Sequence, residues 1–222
     1  ASGGIGRAVA EAVEASGDHA VVHRLGRSIS GDGHLDLEDE ASIVAAAERV
    51  RGGPTPTLIF IATGVLHDGP EPERSCKAMT AEHLLRDYRV NTVAPALVMK
   101  HFAPLLPRDR RAVLATLSAR VGSIGDNRLG GWHSYRASKA ALNMILCNLA
   151  IELGRSHPRA VVAGLHPGTV DTALSRPFQK GVPEARLFTP AHSAEAMLAV
   201  LDTLTPADSG GVFAWDGTRI PA

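Results

Sequence analysis

Five short apolar runs recur along the chain, separated by stretches of helical period, and this alternation limits the fold more than any other feature. The runs AVVHRL, TPTLIFIATG, RAVLATLS, AVVAGLHPG and GGVFAWDG are apolar continuously instead of at every second position. Such strands need cover on both faces, which is the condition of a parallel sheet held between helical layers. Helical period is carried by residues 4–15, 40–51, 81–105, 135–155 and 191–204. The predicted architecture is therefore α/β, a doubly wound parallel sheet.

With 222 residues, of which 45% are hydrophobic, the chain suits one domain spanning 1–222 with a substantial core. Lys+Arg and Asp+Glu both number 23 and neither sign forms a run, which argues against a nucleic-acid groove or an anionic membrane surface. The expected partner is a small molecule. Cys76 and Cys147 lack CxxC spacing and read as reduced thiols of a cytoplasmic protein. The ten histidines show no paired spacing, so no metal site is expected. No apolar run approaches the roughly 18 residues of a membrane span. The Pro-rich piece HDGPEPERS reads as a surface loop, and SRPFQKGVPEARLFTP is the longest stretch without a period.

The chain opens ASGGIGRAVAEAVEASG, with glycines at the start of a helix whose face carries Ile5, Val9, Ala12 and Val13. In a Rossmann-like sheet a strand runs into such a turn, glycines let a pyrophosphate approach the backbone, and the helix N-terminus offers N–H donors. The strand that should precede the turn is not in the sequence, so the expectation is that residues preceding Ala1 supply it. About twenty residues beyond the glycines an NAD-binding chain carries an acid for the ribose. Here the segment reads HRLGRS, and Arg27 with Ser28 suits the 2′-phosphate of NADP, because guanidinium binds phosphate through forked, charge-assisted hydrogen bonds. Arg24 competes for the same role if the register slips by a few residues.

Tyr135 stands four residues before Lys139 at the start of an alanine-rich helical pattern, so phenol and ammonium share a face. A cation there favours the phenolate. Ser118 closes an apolar strand, and ligands of open α/β sheets bind beyond the carboxyl ends of strands. Asn91 lies within helical period, where an asparagine ordinarily faces solvent.

This ordered set of Asn91, Ser118 and Tyr135-x-x-x-Lys139, with the glycine turn and the HPGTVDT segment, resembles the short-chain dehydrogenase/reductase family, and within it the C-factor type branch. The resemblance covers essentially the whole chain. It implies an NADP(H)-preferring enzyme, with NAD(H) possible, that interconverts a carbonyl and an alcohol on a small organic substrate. Tyr135 would be proton donor and acceptor, Ser118 would hold the substrate carbonyl, Lys139 would hold the nicotinamide ribose and lower the phenol's pKa, and Asn91 would anchor a water in a proton relay. Ser2, Gly4, Ile5 and Gly6 would line the phosphates, and Asp36 and Leu37 would meet adenine. Ala62, Thr63 and Gly64 would follow the cofactor past the fourth strand, and Pro167, Gly168, Val170 and Thr172 would meet the nicotinamide end. A homo-oligomer, dimer or tetramer, is implied as well.

Two departures stand out. The family's NNAG is IATG here, retaining only Gly64. The 17 residues from Ser118 to Tyr135 exceed the family's usual interval, and that loop carries Arg120, Asn127, Trp132 and His133 as candidates to shape a substrate pocket. Core packing under the loop is an equal reading of Trp132. A rival function is a signalling or regulatory protein of C-factor type that binds the cofactor with little turnover.

Overall fold

In the order β1–β2–β3–β6–β7, five strands form the central sheet of this computed structural model, which describes residues 1–66 and 71–222. β1 (Leu58–Ile61), β2 (Ala112–Leu117), β3 (Ala160–His166) and β6 (Val212–Ala214) run parallel, and β7 (Arg219–Ile220) returns antiparallel. Side chains of a strand point alternately to its two faces. In β2, Ala112 and Leu114 enter one apolar cluster while Val113 and Ala115 enter the other; in β3, Val162 divides in the same way from Val161 and Ala163. Both faces are thus covered, as the unbroken apolar runs require.

The first cluster is closed by α2 (Glu40–Arg51), α4 (Ala94–Phe102) and α5 (His133–Ser156), and the second by α1 (Gly4–Ser16) and α6 (Pro190–Thr203). α1 ends on Gly17, whose left-handed φ of 71° is open to a residue without Cβ. The predicted helix over 81–105 is present as α3 (Ala81–Tyr88), a π-helical turn Arg89–Val93, α4 and a 3₁₀ turn Ala103–Leu105 in direct succession. The stretch without a period contains β5 (Leu187–Phe188), which pairs with β4 (Thr169–Val170) as a separate two-stranded sheet. Among the described residues no helix is long and apolar enough to cross a membrane.

AVVHRL does not form the strand predicted for it. Its neighbourhood holds a single bridge, Gly26 to His34, with Gly26 bonded to the backbone of Gly33 and Leu35. A strand requires a neighbour at pairing distance. β1, at the edge of the described sheet, instead faces this stretch across a cavity of about 1100 Å³ lined by Val21, Val22 and Leu25 on one side and Leu58 to Ile61 on the other. HDGPEPERS also departs from its reading as a surface loop. Residues 67–70 lie outside the described residues, but Pro72 and Glu73 are buried, because Glu73 is drawn against the start of α5.

Candidate active site

α5 places Tyr135 and Lys139 one turn apart at its N-terminal end, with the Lys139 ammonium 5.9 Å from the centre of the Tyr135 ring. Lys139 is buried, and its Nζ donates to the Leu117 carbonyl at 2.9 Å, which pins it to the carboxyl end of β2. The next residue, Ser118, is buried there as well. Its Oγ donates to Asn143 Oδ1 at 2.6 Å. Asn143 was not singled out in the sequence, although Tyr135, Lys139 and Asn143 recur every four residues along one face of an otherwise apolar helix.

Asn91 does not face solvent. It is fully buried in the π-helical turn, and such turns cluster at functional positions because they re-aim a side chain. Its Oδ1 accepts from Val65 N at 2.8 Å, and its Nδ2 donates to Val65 O at 3.0 Å and to Ser138 Oγ at 3.2 Å. Asn91 therefore braces the end of the β1 loop against α5. Gly64 fits beside it: a Cβ on Gly64 would lie 3.5 Å from Lys139 Nζ and 3.6 Å from Asn91 Oδ1.

The electrostatics run against the expectation of an easily formed phenolate. Burial pushes the Tyr135 phenol above its ordinary value, and the Asp87 carboxylate adds to the effect. Burial also lowers Lys139, to about 8. Asp87 itself is raised to about 6, chiefly by burial. Glu73 accepts from the backbone N–H and the hydroxyl of Ser134, and so caps the N-terminus of α5. Glu73, His83 and Asp87 carried no motif in the sequence; only the tertiary packing of α3 on α5 assembles them.

The glycine turn opens on the same region. Ser2, Gly6, Arg27, Ser28, Asp36 and Leu37 line the cavity together with Ala62, Thr63 and Gly64. A Cβ on Gly6 would come 3.0 Å from the Ala62 side chain, and one on Gly4 would come 2.9 Å from Thr172. The turn thus abuts the loop after β1 and the segment after β3 at once. Ile5 packs its side chain against the second core cluster. Arg24 is held in a two-point pair with Glu14, at 2.8 and 2.6 Å. Arg27 and Ser28 are exposed, and Arg27 has no side-chain partner among the described residues. Asp36 is occupied locally, its Oδ1 accepting from Glu38 N.

Beyond β3, the Pro167 carbonyl accepts from Ser193, Gly168 adopts φ 77° against the Phe188 and Trp215 rings, and Val170 is buried in the β4 pairing. A Cβ at Gly168 would strike Phe188 at 2.7 Å, so this position requires glycine. Of the four loop residues considered for a substrate pocket, only Trp132 has a described contact with the tyrosine. It follows Gly130 and Gly131, all three left-handed, and its ring meets Tyr135 edge-on at 6.3 Å and Phe178 at 5.1 Å. Arg120 pairs with Asp126, Asn127 accepts from Gly130 N, and His133 opens α5.

A family model described as short chain dehydrogenase matches residues 1–182. The chain is 31% identical over 185 residues to a 1-hydroxy-2-glutathionyl-2-methyl-3-butene dehydrogenase of Rhodococcus sp., covering 83% of this chain and 76% of that protein. It is 35% identical over 139 residues to the C-signal protein of Myxococcus xanthus, covering 62% of this chain and 78% of that one. It is 33% identical over 144 residues to an oxidoreductase of Schizosaccharomyces pombe, covering 60% of this chain but only 56% of that protein's length. Among solved structures, a putative short-chain dehydrogenase/reductase from Burkholderia multivorans with bound NADP aligns with a TM-score of 0.79 at 25% identity, covering 100% and 96% of the two chains. An NADPH-bound carbonyl reductase from chicken fatty liver aligns with a TM-score of 0.70 at 28% identity, covering 85% and 75%. Sheet order, glycine turn and family match agree, and the chain belongs to the short chain dehydrogenase family of oxidoreductases.

Proposed function

We propose that this chain, as one dinucleotide-binding domain over 1–222, is an NADP(H)-preferring oxidoreductase that interconverts a carbonyl and an alcohol on a small organic substrate. The observation that carries the reading is the convergence of Ser118, Tyr135, Lys139 and Asn91 at the carboxyl edge of the sheet, where Gly64 and the glycine turn open on a common cleft. The residues fit a dinucleotide. α1 begins without a side-chain cap, nothing lies within 4 Å of a Cβ placed on Gly3, and Gly6 packs too closely on Ala62 for a larger residue. Arg27 supports the 2′-phosphate reading over Arg24, since Arg24 is already committed to Glu14. The bound NADP of the Burkholderia structure supports the same choice.

When bound, reduced nicotinamide supplies a hydride to the carbonyl carbon. Ser118, whose one proton goes to Asn143 Oδ1 in the free site, turns that O–H to the carbonyl oxygen and donates to it as negative charge develops. Tyr135 gives its proton to that oxygen, and the Lys139 ammonium compensates the phenolate left behind. Burial and Asp87 both keep the phenol protonated, the form in which Tyr135 can give its proton to the carbonyl oxygen. Trp132 and Phe178 give the substrate side an aromatic wall.

Exposed Leu85, Val93, Met144 and Ile151 on α3, the π turn and α5 support a homo-oligomer, and two free thiols support a cytoplasmic location. The similarity to the C-signal protein favours one second reading, a cofactor-binding signalling protein with little turnover. A panel of carbonyl substrates followed by NADPH absorbance tests the proposal. Oxidation of NADPH tied to one carbonyl class supports it, and NADPH binding without turnover across the panel favours the second reading.

A further inference from the structure

Behind Tyr135 lies a set of buried ionisable groups that the proposed reaction does not use. Glu73, His83 and Asp87 are 3%, 5% and 0% exposed. Burying two carboxyl groups is costly unless they are paired, and the imidazole lies between them. His83 Nδ1 is 3.3 Å from Glu73 Oε1, and its Nε2 is 3.8 Å from Asp87 Oδ1. At one end, Glu73 holds the first turn of α5 through Ser134. At the other, Asp87 Oδ2 is buried without a hydrogen-bond partner.

The register of the helices places Asp87 against the tyrosine. α3 and α5 each follow a strand of the parallel sheet and run in the same sense. Asn91 and Thr92 both bond to Ser138. One turn earlier on each helix, Asp87 comes opposite Ser134 and Tyr135. Among the described residues the groups facing Asp87 are His83 and Arg86 from α3, Glu73 from the preceding loop, and Tyr135 and Lys139 from α5.

We infer that Glu73, His83 and Asp87 form a positioning network for Tyr135, in which Glu73 holds the start of α5 and His83 holds a titratable carboxyl, that of Asp87, opposite the tyrosine. The kinetic part of this inference rests on the assignment of Tyr135 as proton donor; the electrostatic part does not. Above about pH 6 the charged Asp87 carboxyl adds to the burial that disfavours the phenolate, and below it only the burial remains. The imidazolium form of His83 favours the charged carboxyl and so extends that contribution to lower pH.

The chain has two tyrosines, so Tyr88→Phe leaves Tyr135 as a single reporter. In that protein, labelled with ¹³Cζ-tyrosine, the Tyr135 resonance should step with a midpoint of about 6 as Asp87 titrates. Asp87→Asn should abolish the step and lower the phenol's own midpoint by about one pH unit. His83→Gln should move the step to higher pH, and it serves if Asp87→Asn does not fold. A resonance that stays flat through neutral pH, a step that survives Asp87→Asn, or one that His83→Gln leaves in place overturns the inference. On a carbonyl that the wild type reduces, Asp87→Asn should also move the alkaline limb of the kcat/KM profile to lower pH by the same amount. An unmoved limb overturns the kinetic part. The expected NMR steps in a protein that reduces no carbonyl would sink the catalytic reading and leave the network standing.

Discussion

Ser118 and Asn143, 25 residues apart, are joined by a 2.6 Å hydrogen bond that fixes the serine hydroxyl at the end of β2. A hydroxyl on a single bond is free to rotate; the bond to Asn143 keeps the Ser118 oxygen in one rotamer, from which the O–H turns to a developing oxyanion. Asn143→Ala should therefore lower kcat for carbonyl reduction by about 10- to 100-fold, the scale of a misplaced catalytic group. Thermal unfolding should change little. An unchanged kcat would show that Ser118 is held by other means.

Tyr135→Phe keeps the ring that packs on Trp132 and removes one hydroxyl. General acids contribute about 10² to 10⁴-fold, so turnover should fall by that factor while NADPH binding, read by fluorescence titration, is preserved. Near-normal turnover would make the tyrosine structural and assign the proton to another group.

Arg27 and Arg24 lie three residues apart in very different company, since only Arg24 is paired with Glu14. Arg27→Ala should weaken NADPH binding by about 1.5–3 kcal/mol, one charge-assisted phosphate contact, and barely affect NADH. Arg24→Ala should affect the two cofactors equally. Binding isotherms in which Arg24→Ala carries the NADPH-specific loss would reverse the assignment.

Much of this was legible because it is local or periodic. β2 and β3 are apolar on both faces, apart from Thr116 and the terminal His166, since both faces are covered, and α5 shows its face through Tyr135, Lys139 and the leucines at 142 and 146. What was not legible depends on tertiary partners. AVVHRL has strand composition, but among the described residues it finds no neighbour at pairing distance beyond the Gly26–His34 bridge, and pairing is not written in composition. Asn91 looked like a solvent-facing residue because nothing in the helix reveals that Val65 lies beside it with both backbone groups to satisfy. Glu73 sits in a Pro-rich, polar stretch that reads as surface, and only the unbonded N–H groups at the start of α5 explain its burial. Asn143 was within reach, one more step of four along the helix.

Lys139 exposes a conflict between folding and chemistry. The residue is 2% exposed, and burial lowers its pKa from 10.5 to about 8, so the fold disfavours the charged form that the proposed reaction uses. The destabilisation is fully present below pH 8 and fades as pH rises from 8 toward 10.5, because over that window the unfolded chain holds the proton more tightly. A shift of that size corresponds to about 3 kcal/mol, offset by about 1–2 kcal/mol for the hydrogen bond to the Leu117 carbonyl that a substitution removes. Lys139→Met fills a similar volume without a charge. At neutral pH it should raise stability by about 1–2 kcal/mol, or Tm by a few degrees, while abolishing turnover. Between pH 8 and 10.5 the wild type should gain on the variant until the advantage is gone. Calorimetry across that range decides the matter: a variant less stable than wild type at pH 7, or a difference that does not depend on pH, would mean that the buried ammonium is held by its surroundings and not merely tolerated for the sake of Tyr135.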